Sequence, residues 1–544
     1  MKKAASYILL ILMAMNISCQ SKKQADIIVY NAKVYTVDKA FSTASAFAIK
    51  DGKFIAIGND NDLLNQYYSK EKIDAHGKPV YPGFNDGHSH FLGYGITTSR
   101  YANLVGTQSF DEVVQKLKEF DKKNNHSWLL GRGWDQNDWD VKTFPVNDML
   151  NKAFPDKPVV LTRIDGHAVI ANSAALKIAG INAETKIDGG EVILKNNKPT
   201  GVLVDNALEL MTNFIPPFTK EQKTKALIKA QHDCFAVGLT SVTDAGLDKE
   251  DILLMDSLQQ NGKLKMRIYA MINPNKEDFD YFFSQKPWHK ERLTVSAVKL
   301  YIDGALGSRG ALLLKEYSDD PGNFGLRLHQ PAYYDSICRM AYKAGFQVNT
   351  HAIGDSGNRI MLHTYAKYLG GKNNRRWRIE HAQVVAPEDL HYFKDFSIIP
   401  SIQSTHCTSD MYWADERLGS ERIKTAYAYH DLLMQNGWFV NGTDFPIEDI
   451  SPLKTFYAAV ARKDLKGWPE NGFQTENAIS RKDALRSITL WPAKGSFDEN
   501  RKGSIEVGKV ADFVILEKDL MTAPENELFN IKVIATYVNG EKVY

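Results

Sequence analysis

The chain has 544 residues, enough for a large core or for more than one domain. Its 67 basic and 65 acidic side chains nearly cancel, and no basic block or stripe breaks the mixture, which excludes nucleic acid as a partner on charge grounds. The cysteines, Cys19, Cys234, Cys338 and Cys407, are too few and too scattered for a disulfide framework, even in an oxidising compartment.

Lys2 and Lys3 precede the apolar run YILLILMAM, and NISCQSKK follows. A positive start, a short apolar stretch and a small residue before a cysteine make an export signal over residues 1–18. The run is well short of the roughly 20 residues a membrane-spanning helix needs. The pattern resembles a bacterial lipoprotein signal. That resemblance implies cleavage before Cys19, a lipid anchor on Cys19 and a periplasmic or cell-envelope location. Asn16 stands where such signals carry Leu, so a plain secretory signal is the alternative.

DIIVYNAKVYTV and ASAFAIKDGKFIAIG read as strands, with Asp51-Gly52 as a hairpin turn. ADFVILE and IKVIATYVNGEKVY read the same way at the other terminus, with Asn539-Gly540 as the turn. Strands at both ends predict one small β-domain assembled from residues 26–79 and 500–544.

Between them, helix-like and strand-like segments alternate. SFDEVVQKLKEF places Phe110, Val113, Val114 and Leu117 on one helical face, and Ser109 with Glu112 forms a capping box. TKALIKAQHDCFAVG leads into LTSVTDAG, and DSICRMAYKAG into FQVNTHAIGD, with Gly238 and Gly345 closing the helices. Strands are predicted to begin near Val80, Leu239, Lys265, Val295, Phe346, Trp377, Ile398 and Phe439. Eight such repeats predict a (β/α)8 TIM barrel over residues 80–499, with a cap inserted at about 91–235. An open doubly wound sheet would also alternate, but no glycine-rich phosphate loop follows the first strand.

Active-site groups of such a barrel sit at the C-terminal ends of its strands. The first ends in FNDGHSHFLG, whose His88 and His90 project from one face of an extended chain. The fourth carries Lys299, the fifth ends at His351, the sixth at His381 and the eighth at Asp444. Singly, each has an ordinary reading: a hydrogen-bonded loop histidine, a turn-capping aspartate before Pro446, a lysine snorkelling to the surface. Together, imidazole and carboxylate form the ligand set of catalytic zinc. Lys299 is the odd member. An ammonium has no lone pair, and between Val298 and Leu300 it needs a partner or must shed its proton.

YPGFNDGHSH, GRGWDQ, GHAVIANSAAL, VKLYIDGALGSR, VNTHAIGD, IEHAQ, TSDMYWADERLG, GTDFPIE and GSIEVGKVADFVIL occur in one order. By these motifs the chain resembles the amidohydrolase superfamily, in the branch that includes N-substituted formamide deformylase. The resemblance implies a metal-bearing barrel beside a β-sandwich built from both termini. It implies two divalent ions, zinc by ligand type. His88 and His90 would hold the more buried ion and His351 and His381 the second. Lys299, carboxylated by CO2, would bridge them, and Asp444 would bind metal and move protons.

Metal-activated water would attack a carbonyl and Asp444 would hand the proton to the leaving amine, cleaving an amide-type C–N bond of a small molecule. Trp134, Asp135 and His167 of the cap, and Asp303 and His406 at the barrel mouth, are candidate substrate contacts, with ordinary packing as the competing role. Ser404, beside His406, stands where the branch more often has Pro. An esterase or lactonase using the same metals, and a lipid-anchored binding protein without chemistry, are the competing functions.

The lipid-anchor reading makes a simple expectation. On cell fractionation, Cys19→Ser should move the protein from the membrane pellet to the soluble fraction, and an unchanged distribution would count against the anchor.

Overall fold

The computed structural model of the chain describes residues 22–124, 126–163, 168–187, 190–307 and 309–544. The segment predicted to be an export signal, with Cys19, and His167 lie outside the described residues. The chain falls into two compact units. One runs to Ser89 and resumes at His232–Leu253 and Lys265–Tyr544; the other is His90–Gln231 with Leu254–Leu264. Among the described residues no helix is long and apolar enough to cross a membrane.

The first unit holds a barrel of eight parallel strands: β1 (Phe84–Ser89), β2 (Leu239–Leu247), β3 (Arg267–Ile272), β4 (Leu293–Tyr301), β5 (Gln347–Ala352), β6 (Arg378–His381), β7 (Ile399–Ile402) and β8 (Val440–Asn441). Each pairs with the next in chain order. Their residues are buried almost without exception, which suits the near-continuous Val, Ile, Ala and Thr content of strands covered on both faces. Helix Pro331–Ala344 starts on a proline and ends at Gly345, whose left-handed backbone (φ 81°) turns the chain into β5.

The seam between β1 and β8 is closed by hydrogen bonds and by the absence of side chains. The Asp444 N–H donates to the His88 carbonyl at 2.8 Å. The buried Asp86 carboxylate accepts from the Thr443 N–H at 3.1 Å and from its hydroxyl at 2.7 Å. A Cβ on Gly87 would lie 2.1 Å from Val440 Cγ1, and one on Gly442 would lie 2.4 Å from the His88 nitrogen. Glycine is required at both positions for the backbones to approach.

The first barrel strand is not where the sequence places it. Val80 belongs to Pro79–Pro82, which pairs with Phe513–Leu516 and Lys33–Tyr35 in the terminal β-domain. The barrel begins at Phe84, after Gly83, whose N–H donates to the Asp512 carbonyl at 2.9 Å. PVYPGFNDGHSH reads as one extended run, yet it serves two sheets, with Gly83 as the joint.

The β-domain is a pair of facing sheets. One contains Lys53–Gly58, Ala46–Lys50, Ile27–Tyr30 and Glu71–Asp74; the other contains Glu541–Lys542, Val533–Val538, Phe513–Leu516, Pro79–Pro82, Lys33–Tyr35 and Thr43–Ala44. DIIVYNAKVYTV supplies a strand to each, separated at Asn31 (φ 51°). Phe47 and Phe54 of the first sheet meet Phe513 of the second, which stacks on Tyr537 with centroids 4.3 Å apart. A buried pair joins this domain to the barrel: Arg267 at the head of β3 donates from Nε to Asp512 Oδ2 at 2.6 Å and from Nη2 to Oδ1 at 3.1 Å.

TSDMYWADERLG ends in helix Ala414–Arg422, which grips the long loop after β4. Arg417 Nε donates to the Gly307 carbonyl at 3.3 Å, and Arg422 donates to the carbonyls of Lys315 (3.0 Å) and Glu316 (2.7 Å). The Ser318 N–H returns a bond to the Arg417 carbonyl at 2.9 Å.

The second unit is built on a mixed sheet in the order Tyr101–Asn103, Leu129–Trp134, Val159–Arg163, Ala168–Ala171, Lys198–Asp205, Gly190–Lys195. Leu129, Leu161, Ile170 and Val202 face one core with Val113 and Leu117 of helix Phe110–Asn124; Leu130, Val160, Val169 and Leu203 face another. Ser109 Oγ caps that helix, accepting from the Glu112 N–H at 3.2 Å, while the Glu112 carboxylate reaches back to the Gln108 N–H at 2.8 Å.

Gly442→Ala tests the seam. It is expected to lower unfolding stability by about 2–3 kcal/mol in chemical denaturation; wild-type stability would mean that the seam tolerates a wider gap.

Candidate metal centre

Among the described residues, His88, His381 and Asp444 form a buried group able to hold a metal ion, each offering a ligand atom within 4.8 Å of the others. They come from the ends of β1, β6 and β8. The His351 ring at the end of β5 stands 4.5 Å from that of His381, and the His88 ring 5.1 Å from it, centroid to centroid. Lys299, in β4, reaches the group from the barrel interior, with Nζ 3.2 Å from His88 Nε2 and 4.9 Å from the centre of the Tyr301 ring.

Backbone conformation aims two of these side chains. His381 has φ 73° and Asp444 φ 61°, left-handed values uncommon outside glycine and worth attention at a site. In a regular strand Glu380 and His381 would point to opposite faces. Here both reach His88: Glu380 Oε2 lies 2.5 Å from His88 Nδ1 and the His381 ring stands beside it. The turn at His381 lets two consecutive residues serve one centre.

Burial sets the protonation. Loss of solvent, reinforced by the Lys299 charge, pushes His88 down to about 4 and His351 down to about 3. His381 lies well below the usual imidazole value for the same first reason. All three are neutral near pH 7 and carry a free lone pair, the form that binds a cation. Lys299 is lowered to about 8 by burial, against the opposing pull of Glu380 and Asp444. Burial alone would raise Glu380, but Arg378, His88 and Lys299 together outweigh it and bring the group down to about 2.

The donor set fits a divalent ion. Neutral nitrogen and carboxylate oxygen converge, and their partners leave nitrogen facing the centre. His88 Nε2 is 3.6 Å from Asp444 Oδ1, and His381 Nδ1 is committed to Gln403 Oε1 at 2.7 Å. The buried His406 Nε2 has no hydrogen-bond partner among the described residues and lies 3.6 Å from Asp444 Oδ2. Its ring stacks on His381 at 5.7 Å.

His90 stands one residue past β1, at the head of helix Phe91–Arg100 in the second unit, its carbonyl accepting from the Tyr94 N–H at 2.7 Å. Trp134 is wholly buried in the core of that unit; its indole N–H donates to the Leu161 carbonyl at 2.9 Å and its ring packs on Trp139. These are packing contacts within that core. Asp135 pairs with Arg163 at 2.5 Å.

Asp303 lies beside the cluster, its Oδ1 3.7 Å from His351 Nε2. Its buried carboxylate accepts from the N–H groups of Leu312 (2.8 Å), Ile353 (3.1 Å) and Gly354 (2.8 Å), so it ties the β4 loop to the end of β5. Burial raises it to about 7 in spite of those bonds. Glu380, Arg378 and Gln403 were not anticipated. The signal was present in RIEH, where two opposite charges alternate within a strand that must be buried.

A family model described as the amidohydrolase family matches residues 71–544. The chain is 32% identical to Protein LONG AFTER FAR-RED 3 of Arabidopsis thaliana, over 96% of this chain and 92% of that one. It is 31% identical to the putative amidohydrolase YtcJ of Bacillus subtilis, over 94% and 98% respectively. N-substituted formamide deformylase of Arthrobacter pascens is more distant, at 25% over 95% and 97%. Among solved structures, an uncharacterized metal-dependent hydrolase from Pyrococcus horikoshii superposes with a TM-score of 0.79 at 29% identity, covering 92% of this chain and 99% of that one. With a matching barrel, a metal-type cluster at its strand ends and relatives along nearly its whole length, the chain belongs to the amidohydrolase family and is a metal-dependent hydrolase of that family.

Proposed function

We propose that the protein hydrolyses an amide-type C–N bond outside a peptide in a small molecule, at two zinc ions held by His88, His90, His351, His381, Asp444 and a carboxylated Lys299. The observation that carries this reading is the buried convergence of His88, His381 and Asp444 with Lys299 Nζ 3.2 Å from His88. Likeness to N-substituted formamide deformylase supports the choice of bond. Every expected ligand position carries a usable residue, which counts against a barrel that has lost its chemistry.

A bound ion of this kind polarises a carbonyl and lowers the pKa of water from 15.7 toward about 7. The chain's own groups do the rest. Lys299, lowered to about 8, has a neutral fraction near pH 7; its amine nitrogen adds to CO2 and releases a proton, leaving an anionic carbamate. That turns a cation with no lone pair into an oxygen ligand. Asp444 accepts a proton from the attacking water and delivers it to the leaving nitrogen, which departs poorly as an anion. The buried setting strengthens these charge interactions relative to open water. His406, stacked on His381 and 3.6 Å from Asp444 Oδ2, is the candidate contact to substrate beside that carboxylate.

Two measurements test this. Replacing His88 and His381 together with Ala should strip most of the bound metal while circular dichroism stays that of the folded barrel; full metal content would show the ligand assignment to be wrong. Asp444→Asn should turn over N-formyl and N-acyl amines at least about a hundredfold more slowly. Activated esters, whose leaving groups need no proton, should lose less. Equal losses on both would make Asp444 a ligand only.

A further inference from the structure

The two imidazoles of the central cluster are backed differently. His381 Nδ1 meets the neutral amide of Gln403 at 2.7 Å. His88 Nδ1 meets a carboxylate, Glu380 Oε2, at 2.5 Å, with both side chains wholly buried. An ionised carboxylate accepts only, so His88 Nδ1 carries the hydrogen and Nε2 the lone pair. Nε2 is the nitrogen on the Asp444 and Lys299 side.

Glu380 is itself held. Arg378 Nε lies 3.0 Å from Glu380 Oε1, also fully buried. Arg378 Nη1 donates to the Gly87 carbonyl at 3.3 Å, one residue before His88. The Asn349 amide, with its oxygen turned to the guanidinium, accepts from Arg378 Nη2 at 3.0 Å. The Tyr269 ring lies 5.8 Å from the guanidinium carbon. Charge, backbone and side chain thus form a closed circuit from β6 through Arg378 to β1 and back through His88.

We infer that Glu380 is the positioning residue of the centre: it fixes the His88 tautomer and makes His88 a stronger donor than the amide-backed His381, so that the ion touching His88 is the tightly held one. The inference rests on the reading of His88 as a ligand. A carboxylate behind a ligating imidazole raises its basicity, and removing such a partner typically costs about 10–100-fold in metal affinity.

The test uses the full chain and zinc alone. Zinc affinity is measured by chelator competition, and a cobalt-substituted sample reports ligand geometry by its visible spectrum. Glu380→Gln keeps the shape and removes the charge. It should weaken the tighter site by about 10–100-fold, shift the cobalt bands and lower kcat with KM little changed. In a His88→Ala background the same change should weaken zinc no further, since the residue acts through His88. If His88→Ala loses zinc but Glu380→Gln binds it as the wild type does, the inference is overturned and the metal reading stands. If His88→Ala keeps its zinc, the metal reading falls instead.

Should Glu380→Gln fail to fold around an unpaired Arg378, Glu380→Leu with Arg378→Met removes both charges together. That pair should show the same loss of zinc affinity, and wild-type affinity in the folded double variant would overturn the inference.

Discussion

The end of the barrel holds more ionisable groups than it can keep charged. His88, Lys299, Glu380, His381 and Asp444 are all buried there, and an isolated charge in such a place costs several kcal/mol. The arrangement meets this constraint by division. The imidazoles give up their protons, Glu380 keeps its charge against Arg378, and Lys299 makes its closest approach to the lone pair of His88 Nε2. What remains is a set of lone pairs facing one volume. A cation there would take up those lone pairs.

The same constraint explains why each residue of the cluster has a partner behind it. A side chain buried there without its outer partner could rotate or change tautomer, so each is fixed at its far side: His88 by Glu380, His381 by Gln403, the Asp444 backbone by the His88 carbonyl and the preceding Thr443 by Asp86. The seam matters equally. β8 is only two residues long, and the glycines at 87 and 442 bring its end close enough for the Asp444 N–H to reach the His88 carbonyl. Closing the barrel and placing the first and last of these residues are one event.

Much of this was legible in the chain, for reasons that differ by residue. Helix–strand alternation, with Gly345 marking a helix end, gave the barrel because the pattern repeats with one physical cause. Lys299 stood out because a lysine between Val298 and Leu300 contradicts its surroundings. The start of the first strand did not, because Pro79 to Ser89 is extended throughout and only a partner 430 residues away, near Phe513, divides it. Glu380 was hidden beside His381, since alternation would turn one of the two away from the centre; a left-handed φ at His381 is a tertiary event with no local cue. Trp134 and Asp303 resemble substrate contacts in sequence and are spoken for in space, by Leu161 and by three backbone N–H groups. Whether a polar side chain is free depends on neighbours distant in the chain.

The arch between the β4 loop and helix Ala414–Arg422 has a different kind of consequence. Arg417 and Arg422 grip the loop by the carbonyls of Gly307, Lys315 and Glu316, groups that every residue type supplies. Side chains of the loop join the grip at two places, where Ser318 Oγ accepts from Arg422 Nη2 at 3.1 Å and the Asp319 carboxylate accepts from Arg417 Nη1. Substitutions along that loop can alter what it presents at the catalytic end of the barrel while the two arginines hold its path, whereas loss of either arginine would release the path itself. Such a division separates the part of the molecule that can diversify from the part that must stay, and it leaves freedom to change in a segment anchored mainly through backbone carbonyls, with Ser318 and Asp319 as its fixed side chains.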